Sequence, residues 1–408
     1  MASGGHELGN KFSFPLKRLI YPGMYIYILF SIFETYINMT IGHIARYYML
    51  LYAAIVFVTC LEEGRFREVT RMKFMWVVWF LYSLATVVWS TDYTQVATYI
   101  FTYVTMGVVL LCADYFDFNR QQIDRLMLFY QICSFILCVL GYFFSGAYSA
   151  GNEMRYVLRI GNAYTDPNYL LTLYIICVQI GFYFLINKGR GLILNIASVI
   201  VGTYVIFMTG SRSGVVMLVV SLLLLSINKL ARVNFIRKVV YIVVASVAIL
   251  FLLDTLAKYI PTDTLSRIMG QGIYAYTNGT GRAEWIAADY AEWKGVFNVV
   301  MGMGFGSNTT HSTILSFLFE FGIFGTTLFV IPMIALAVYL VKKHNVLALT
   351  LMLCGLFQAF ICPATNMRFF WNSLIIPIMI KDVDFSVKGK EVFEEEIESQ
   401  GYAQGEYR

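Results

Sequence analysis

Apolar runs separated by short polar intervals recur along the chain from about residue 19 to about residue 380. A bilayer core about 30 Å thick asks for about 20 apolar residues per helix. Runs approaching that length fall at roughly 19–40, 45–61, 74–90, 97–114, 126–146, 168–187, 191–208, 214–227, 239–257, 312–340, 346–364 and 369–380. The last of these is the shortest. The pattern predicts an all-α, polytopic integral membrane protein of about 12 transmembrane helices, one domain over residues 1–408.

The interval 258–310 breaks the rhythm. Within it, GRAEWIAADYAEWKGVFN sets Ile286, Tyr290, Trp293 and Phe297 at helical spacing, with Glu284, Asp289 and Glu292 elsewhere around the wheel. This predicts a structured outer loop with an amphipathic helix along the membrane surface, its aromatics at headgroup level. The glycine-rich TNGTG before it and GMGFGS after it are expected to act as flexible joints. The polar N-terminus leads into an apolar segment without a small-residue cleavage pattern, so no removable signal peptide is expected. The acidic segment within 381–408 reads as a solvated cytoplasmic tail.

Composition agrees with the pattern: 59% of residues are hydrophobic and 13% charged, about half the charge of a soluble domain. The net charge of +5 is scattered over short loops and gives no nucleic-acid signal. All seven cysteines lie in apolar runs without metal-ligand spacing, so neither a disulfide framework nor a metal site is expected, and no cofactor. With the N-terminus inside, about 21 of the 30 basic residues fall on cytoplasmic segments, as the positive-inside rule requires. Both termini are then cytoplasmic.

The outer face keeps few basic residues, and most sit in three loops: Arg155 and Arg159, then Arg212, then Arg267, Arg282 and Lys294. Each loop leads into a helix whose N-terminus faces outward, an arrangement that favours anions. TGSRSG, residues 209–214, holds Arg212 at the membrane edge, with Ser211 and Ser213 as candidate N-caps. The plain alternative is a tight turn whose arginine reaches lipid headgroups. Arg282 opens the amphipathic helix, where it serves an anion or pairs with Glu284 or a lipid. RIGNAYTDPNYL, residues 159–170, carries Arg159, Asp166 and Asn168, and Asp-Pro is also an ordinary helix start.

His311 precedes a long apolar run at a helix N-terminus, which disfavours imidazolium and suits a base. An interfacial hydrogen-bonding role is the alternative. Glu34 and Glu320 fall inside predicted spans near their outer ends, where a carboxylate faces a cavity or a partner.

TGSRSG, GRAEW, GMGFGSNTTHSTILSFLFEFGIFG and RIGNAYTDPNYL, in their order over residues 155–325, resemble the O-antigen ligase and O-antigen polymerase superfamily of bacterial envelope enzymes. Relatives commonly have asparagine after the histidine, where this chain has Ser312. The resemblance implies a GT-C-like membrane glycosyltransferase acting on undecaprenyl-diphosphate-linked glycans at the outer side of the bacterial cytoplasmic membrane, without metal. It implies Arg212 and Arg282 on the leaving diphosphate and His311 on the acceptor hydroxyl. Arg159, Asp166, Asn168, Ser211, Ser213 and Glu320 are candidates for substrate binding.

The expected activity is polymerisation of lipid-linked oligosaccharide repeat units into O-antigen or capsular polysaccharide, with a lipid-linked glycan as donor and as acceptor. Membrane lipid, a chain-length regulator and a flippase are expected partners. Ligation of the glycan to lipid A core is the nearest alternative. A transporter of polysaccharide or lipid-linked sugar is the alternative of another class, and it predicts charges near the midplane and related halves.

Overall fold

A computed structural model describes residues 16–67, 70–150, 153–187, 191–231, 234, 258–269, 282–307, 312–362, 367–383 and 385. Helices α1 (Lys17–Ile41), α2 (Ile44–Glu62), α3 (Arg71–Ala85), α4 (Tyr93–Cys112) and α5 (Arg120–Phe143) run back and forth. A hairpin of β1 (Ser145–Ala150) and β2 (Glu153–Leu158) follows. Then come α6 (Pro167–Ile186), α7 (Leu192–Met208), α8 (Arg212–Ala231), α9 (Thr262–Met269), α10 (Arg282–Glu292) and α11 (Val296–Met301). The chain closes with α12 (Thr313–Lys342), α13 (Val346–Ala359) and α14 (Arg368–Met379).

Helices occupy the positions of the predicted spans except 239–257, which lies outside the described residues. Among the described residues, seven helices are long and apolar enough to cross a membrane: α1, α2, α3 with its 3₁₀ extension, α4 with its own extension, α5, α6 and α12. The protein is an α-helical membrane protein by this measure. Among the described residues the hairpin is the exception to the all-α pattern, and it ends α5 before the apolar run of 126–146 is complete.

Local chemistry sets the helix starts. Asp92 caps α4 through the amides of Thr94 and Gln95, and Asn119 with Gln122 forms a capping box on α5. Asp166 caps α6 with Pro167 in its first turn, and Ser312 caps α12. Apolar faces alone cannot order helices in lipid, so polar pairs fix register. Gln131 Nε2 donates to Asn195 Oδ1 at 2.9 Å across α5 and α7. Gln179 Nε2 donates to Ser221 Oγ at 2.9 Å across α6 and α8. Trp79 centres an aromatic core, with ring contacts to Tyr103, Phe317, Phe321, Phe329 and Trp371.

The bundle has two chemically different ends. At one, Lys17 pairs with Glu63 and Asp117, Lys73 and Lys381 with Asp114, and Lys343 with Asp382. These join the starts of α1 and α3 to the ends of α2, α4, α12 and α14. At the other end lie the hairpin, α9 and the starts of α6, α8, α12 and α14.

Candidate functional site

The arginine end is built around the turn between α7 and α8. Gly210 takes φ +61°, a left-handed conformation that glycine adopts without a Cβ penalty. The turn is then clasped from both sides. Arg212 Nε donates to the carbonyl of Arg267 at 2.9 Å, and Arg267 Nε donates to the carbonyl of Gly210 at 3.0 Å. Arg267, on α9, is buried, whereas Arg212 is exposed. α9 also packs against β2, which carries the buried Arg155.

Directly beneath, Ser211 Oγ donates to Asn168 Oδ1 at 3.0 Å and lies 2.9 Å from Ser213 Oγ. Asn168 in turn takes a backbone bond to Asp166 Oδ1 at 2.7 Å, and its carbonyl accepts from Gln358 Nε2 at 2.9 Å. Ser211 and Asn168 are both buried and tie α6, α8 and α13 together, so they hold the arginine turn in place from below. Arg159, directly after β2, is exposed, its guanidinium 5.4 Å from the Tyr164 ring centroid. Burial raises the Tyr148 phenol on β1 above its ordinary range, keeping it neutral and able to donate.

The second component is a break in α12. Gly322 has φ +64° and ψ −174° inside the helix, which splits it into a short half, Thr313 to Phe321, and a long one. A break frees carbonyls that lipid cannot solvate. The glycine-rich segment supplies the donors: Met303 N–H donates to the Phe319 carbonyl at 2.8 Å and Gly304 N–H to the Glu320 carbonyl at 2.9 Å. Tyr82 Oη donates to the carbonyls of Met301 and Phe321 at 2.7 and 3.1 Å. Phe305 N–H donates to Thr86 Oγ1 at 3.1 Å.

GMGFGS is therefore no flexible joint. Residues 302–306 are buried, and the glycines permit left-handed backbone pressed against other backbone. The predicted amphipathic helix is likewise two short helices, α10 and α11, because the chain leaves helical geometry at 293–295 with φ +83° at Gly295. Trp293 sits at that corner, its indole N–H donating to the Asn298 carbonyl at 2.7 Å and its ring against Phe319. Tyr290 and Phe297 are exposed.

Of the predicted site residues, Arg212, Ser211, Ser213, Asp166 and Asn168 come together. Glu320 is buried on the short half of α12, within electrostatic reach of Tyr99 on α4. Arg282 opens α10, but its side chain lies outside the described residues, as does all of His311. Arg267 stood in the sequence only as one of the outer-face basic residues and was not singled out for the site. Its signal was the arginine in TDTLSRIM, close to a helix C-terminus, which looks like ordinary dipole compensation.

Among the described residues, no three His, Cys, Asp or Glu side chains lie close enough together to hold a metal ion. A cavity of about 300 Å³ opens at the lysine end, lined by Lys17, Tyr21, Glu63 and Asp117 among others, away from the arginine cluster. No protein-family model and no curated protein matches the chain.

Proposed function

We propose that the chain is a glycosyltransferase of the bacterial cytoplasmic membrane. In this reading it joins undecaprenyl-diphosphate-linked repeat units into O-antigen or capsular polysaccharide at the arginine end of the bundle. The observation that carries the proposal is the clasp of Arg212 and Arg267 over the starts of α6 and α8. Fixed guanidiniums and helix N-termini at one edge suit a diphosphate arriving on a lipid.

Transfer breaks the bond between the anomeric carbon and the diphosphate oxygen as the acceptor hydroxyl oxygen bonds to that carbon. Negative charge grows on the leaving diphosphate, where Arg212 and Arg282 stabilise it by about 3 kcal/mol for each well-placed donor. The acceptor hydroxyl loses its proton to His311. Arg267, by accepting Arg212 Nε–H at its carbonyl, positions the Arg212 guanidinium.

The proposed topology puts the lysine end in the cytoplasm. α8 spans about 30 Å away from the arginine end, yet α9 is clasped to Gly210 at that end. The apolar stretch 239–257 has the length for the return crossing, which supports the count of about 12 spans.

Surface glycan from a deletion strain tests the activity. Loss of the polymerase leaves single repeat units attached to the cell surface. Polymer stranded on the carrier lipid makes the protein a ligase, and unchanged polymer on the surface overturns both readings.

A further inference from the structure

A second polar cluster lies apart from the arginine turn, where the far part of α1 meets the starts of α2 and α14. Arg368 opens α14 and is 2% exposed, and its Nη1 pairs with Glu34 Oε1. Its Nε is buried without a hydrogen-bond acceptor. Asn38, one turn after Glu34 on α1, lies near the same carboxylate, and its Oδ1 is buried without a hydrogen-bond partner. Arg46, in the first turn of α2, acts electrostatically on both Glu34 and Arg368 and lies 5.4 Å from the Phe101 ring centroid. Below them, Tyr27 Oη donates to Asn372 Oδ1 at 2.6 Å and closes the inner side.

A purely structural ion pair balances its charges and satisfies its donors, because each unmet group in a dry interior costs free energy. This cluster sets two guanidiniums against one carboxylate and leaves a guanidinium edge without an acceptor. Glu34 is also more open than the cation it pairs with, 21% of its side chain being exposed against 2% for Arg368. The partly exposed carboxylate thus covers a buried cation.

We infer that Arg46 and Arg368 form a second oxyanion-binding subsite in which Glu34 holds the place of a ligand's phosphate or carboxylate. Its identity as part of a substrate rests on the proposed function: the oxyanion is then the diphosphate of a second lipid-linked chain or the carboxylate of an acidic sugar. The planar guanidinium of Arg368 suits either, since both present paired oxygens. On ligand entry Glu34 gives up Arg368, and the ligand's oxygens take over the Nη1 and Nε donors.

Binding measured on the full-length protein in lipid nanodiscs tests this, with undecaprenyl diphosphate as one probe and a glucuronate-containing disaccharide as the other. Arg368→Gln is expected to weaken the recognised probe about ten- to hundredfold, the range of one or two charge-assisted hydrogen bonds. Glu34→Gln keeps the shape of the side chain but removes the competing charge, so it is expected to tighten the same probe. A merely structural pair gives no gain with Glu34→Gln.

Response of the first probe names the diphosphate, and response of the second names the acidic sugar. If Arg368→Gln does not fold, Arg46→Gln supplies the weakening arm. Absence of tightening with Glu34→Gln for both probes overturns the subsite. Chain elongation by the same preparation is scored separately: elongation without these shifts rejects the subsite alone, and the shifts without elongation reject the proposed activity alone.

Discussion

In the proposed site Arg212 presents an exposed guanidinium and Arg267 a buried one, so they are expected to respond differently to substitution. Arg212→Ala, Arg282→Ala and His311→Ala are each expected to leave the protein inserted and folded but to abolish chain formation, assayed as surface polymer in a complemented deletion strain. For Arg212 the loss in rate is expected at about 10²- to 10³-fold, that of one preorganised donor. Full activity in any of the three removes that residue from the site. Arg267→Lys keeps the charge but loses the Nε bond to Gly210, so it is expected to destabilise the turn by roughly 1–3 kcal/mol. Polymer yield falls with it, and an unaffected Arg267→Lys variant shows that the side-chain half of the clasp does not hold the turn. Arg212 was legible because it interrupts two apolar runs. Arg267 was visible only as one of several outer-face cations and Arg368 not at all, since each sits in a short helix where an arginine has several ordinary explanations, and only the contacts with the α7–α8 turn and with α1 distinguish them.

Among the elements, the broken α12 and the glycine segment behave as one part. A Cβ on Gly302 meets the Glu320 carbonyl oxygen at 2.1 Å, and one on Gly322 meets the Val300 carbonyl oxygen at 2.3 Å, both with positive φ. Neither contact is with a side chain that can turn away. Gly302→Ala and Gly322→Ala are each expected to destabilise by roughly 3–5 kcal/mol, combining backbone strain with a steric clash. Gly295→Ala is the internal control: φ is +83° but nothing lies within 4 Å, so it is expected to cost only about 1–2 kcal/mol. Thermal unfolding in detergent measures all three, and equal shifts mean that the segment is not clamped. The glycines themselves are conspicuous in the sequence. What they press against is not, because the partners are backbone atoms of Glu320, Phe321, Thr86 and Ser90, which leave no side-chain signature. That is why GMGFGS reads as a hinge in the sequence and as a lock in the fold. The helix split at 293–295 was hidden for a related reason: Trp293 fits the helical spacing whether or not the backbone continues.

At the scale of the molecule, the positions of the helices follow from apolar runs because the length an apolar segment needs is set by bilayer thickness. The hairpin at 145–158 does not follow, since SGAYSA and EMRYVL are short and carry weak alternation beside a stronger helical signal in α5. The two ends differ in their ion pairs, and the proposed topology makes the lysine end cytoplasmic. Cysteine labelling tests that directly, and all seven native cysteines are buried and so give little background. Asn162 and Lys294 are exposed at the arginine end, and Glu62 and Lys342 at the lysine end. In intact spheroplasts, an impermeant maleimide is expected to label Asn162→Cys and Lys294→Cys, and to reach Glu62→Cys and Lys342→Cys only after permeabilisation. The reverse pattern puts Arg212 and Arg267 on the cytoplasmic side, away from the outer-leaflet glycan that the proposed reaction consumes. The polymerase reading would then fall.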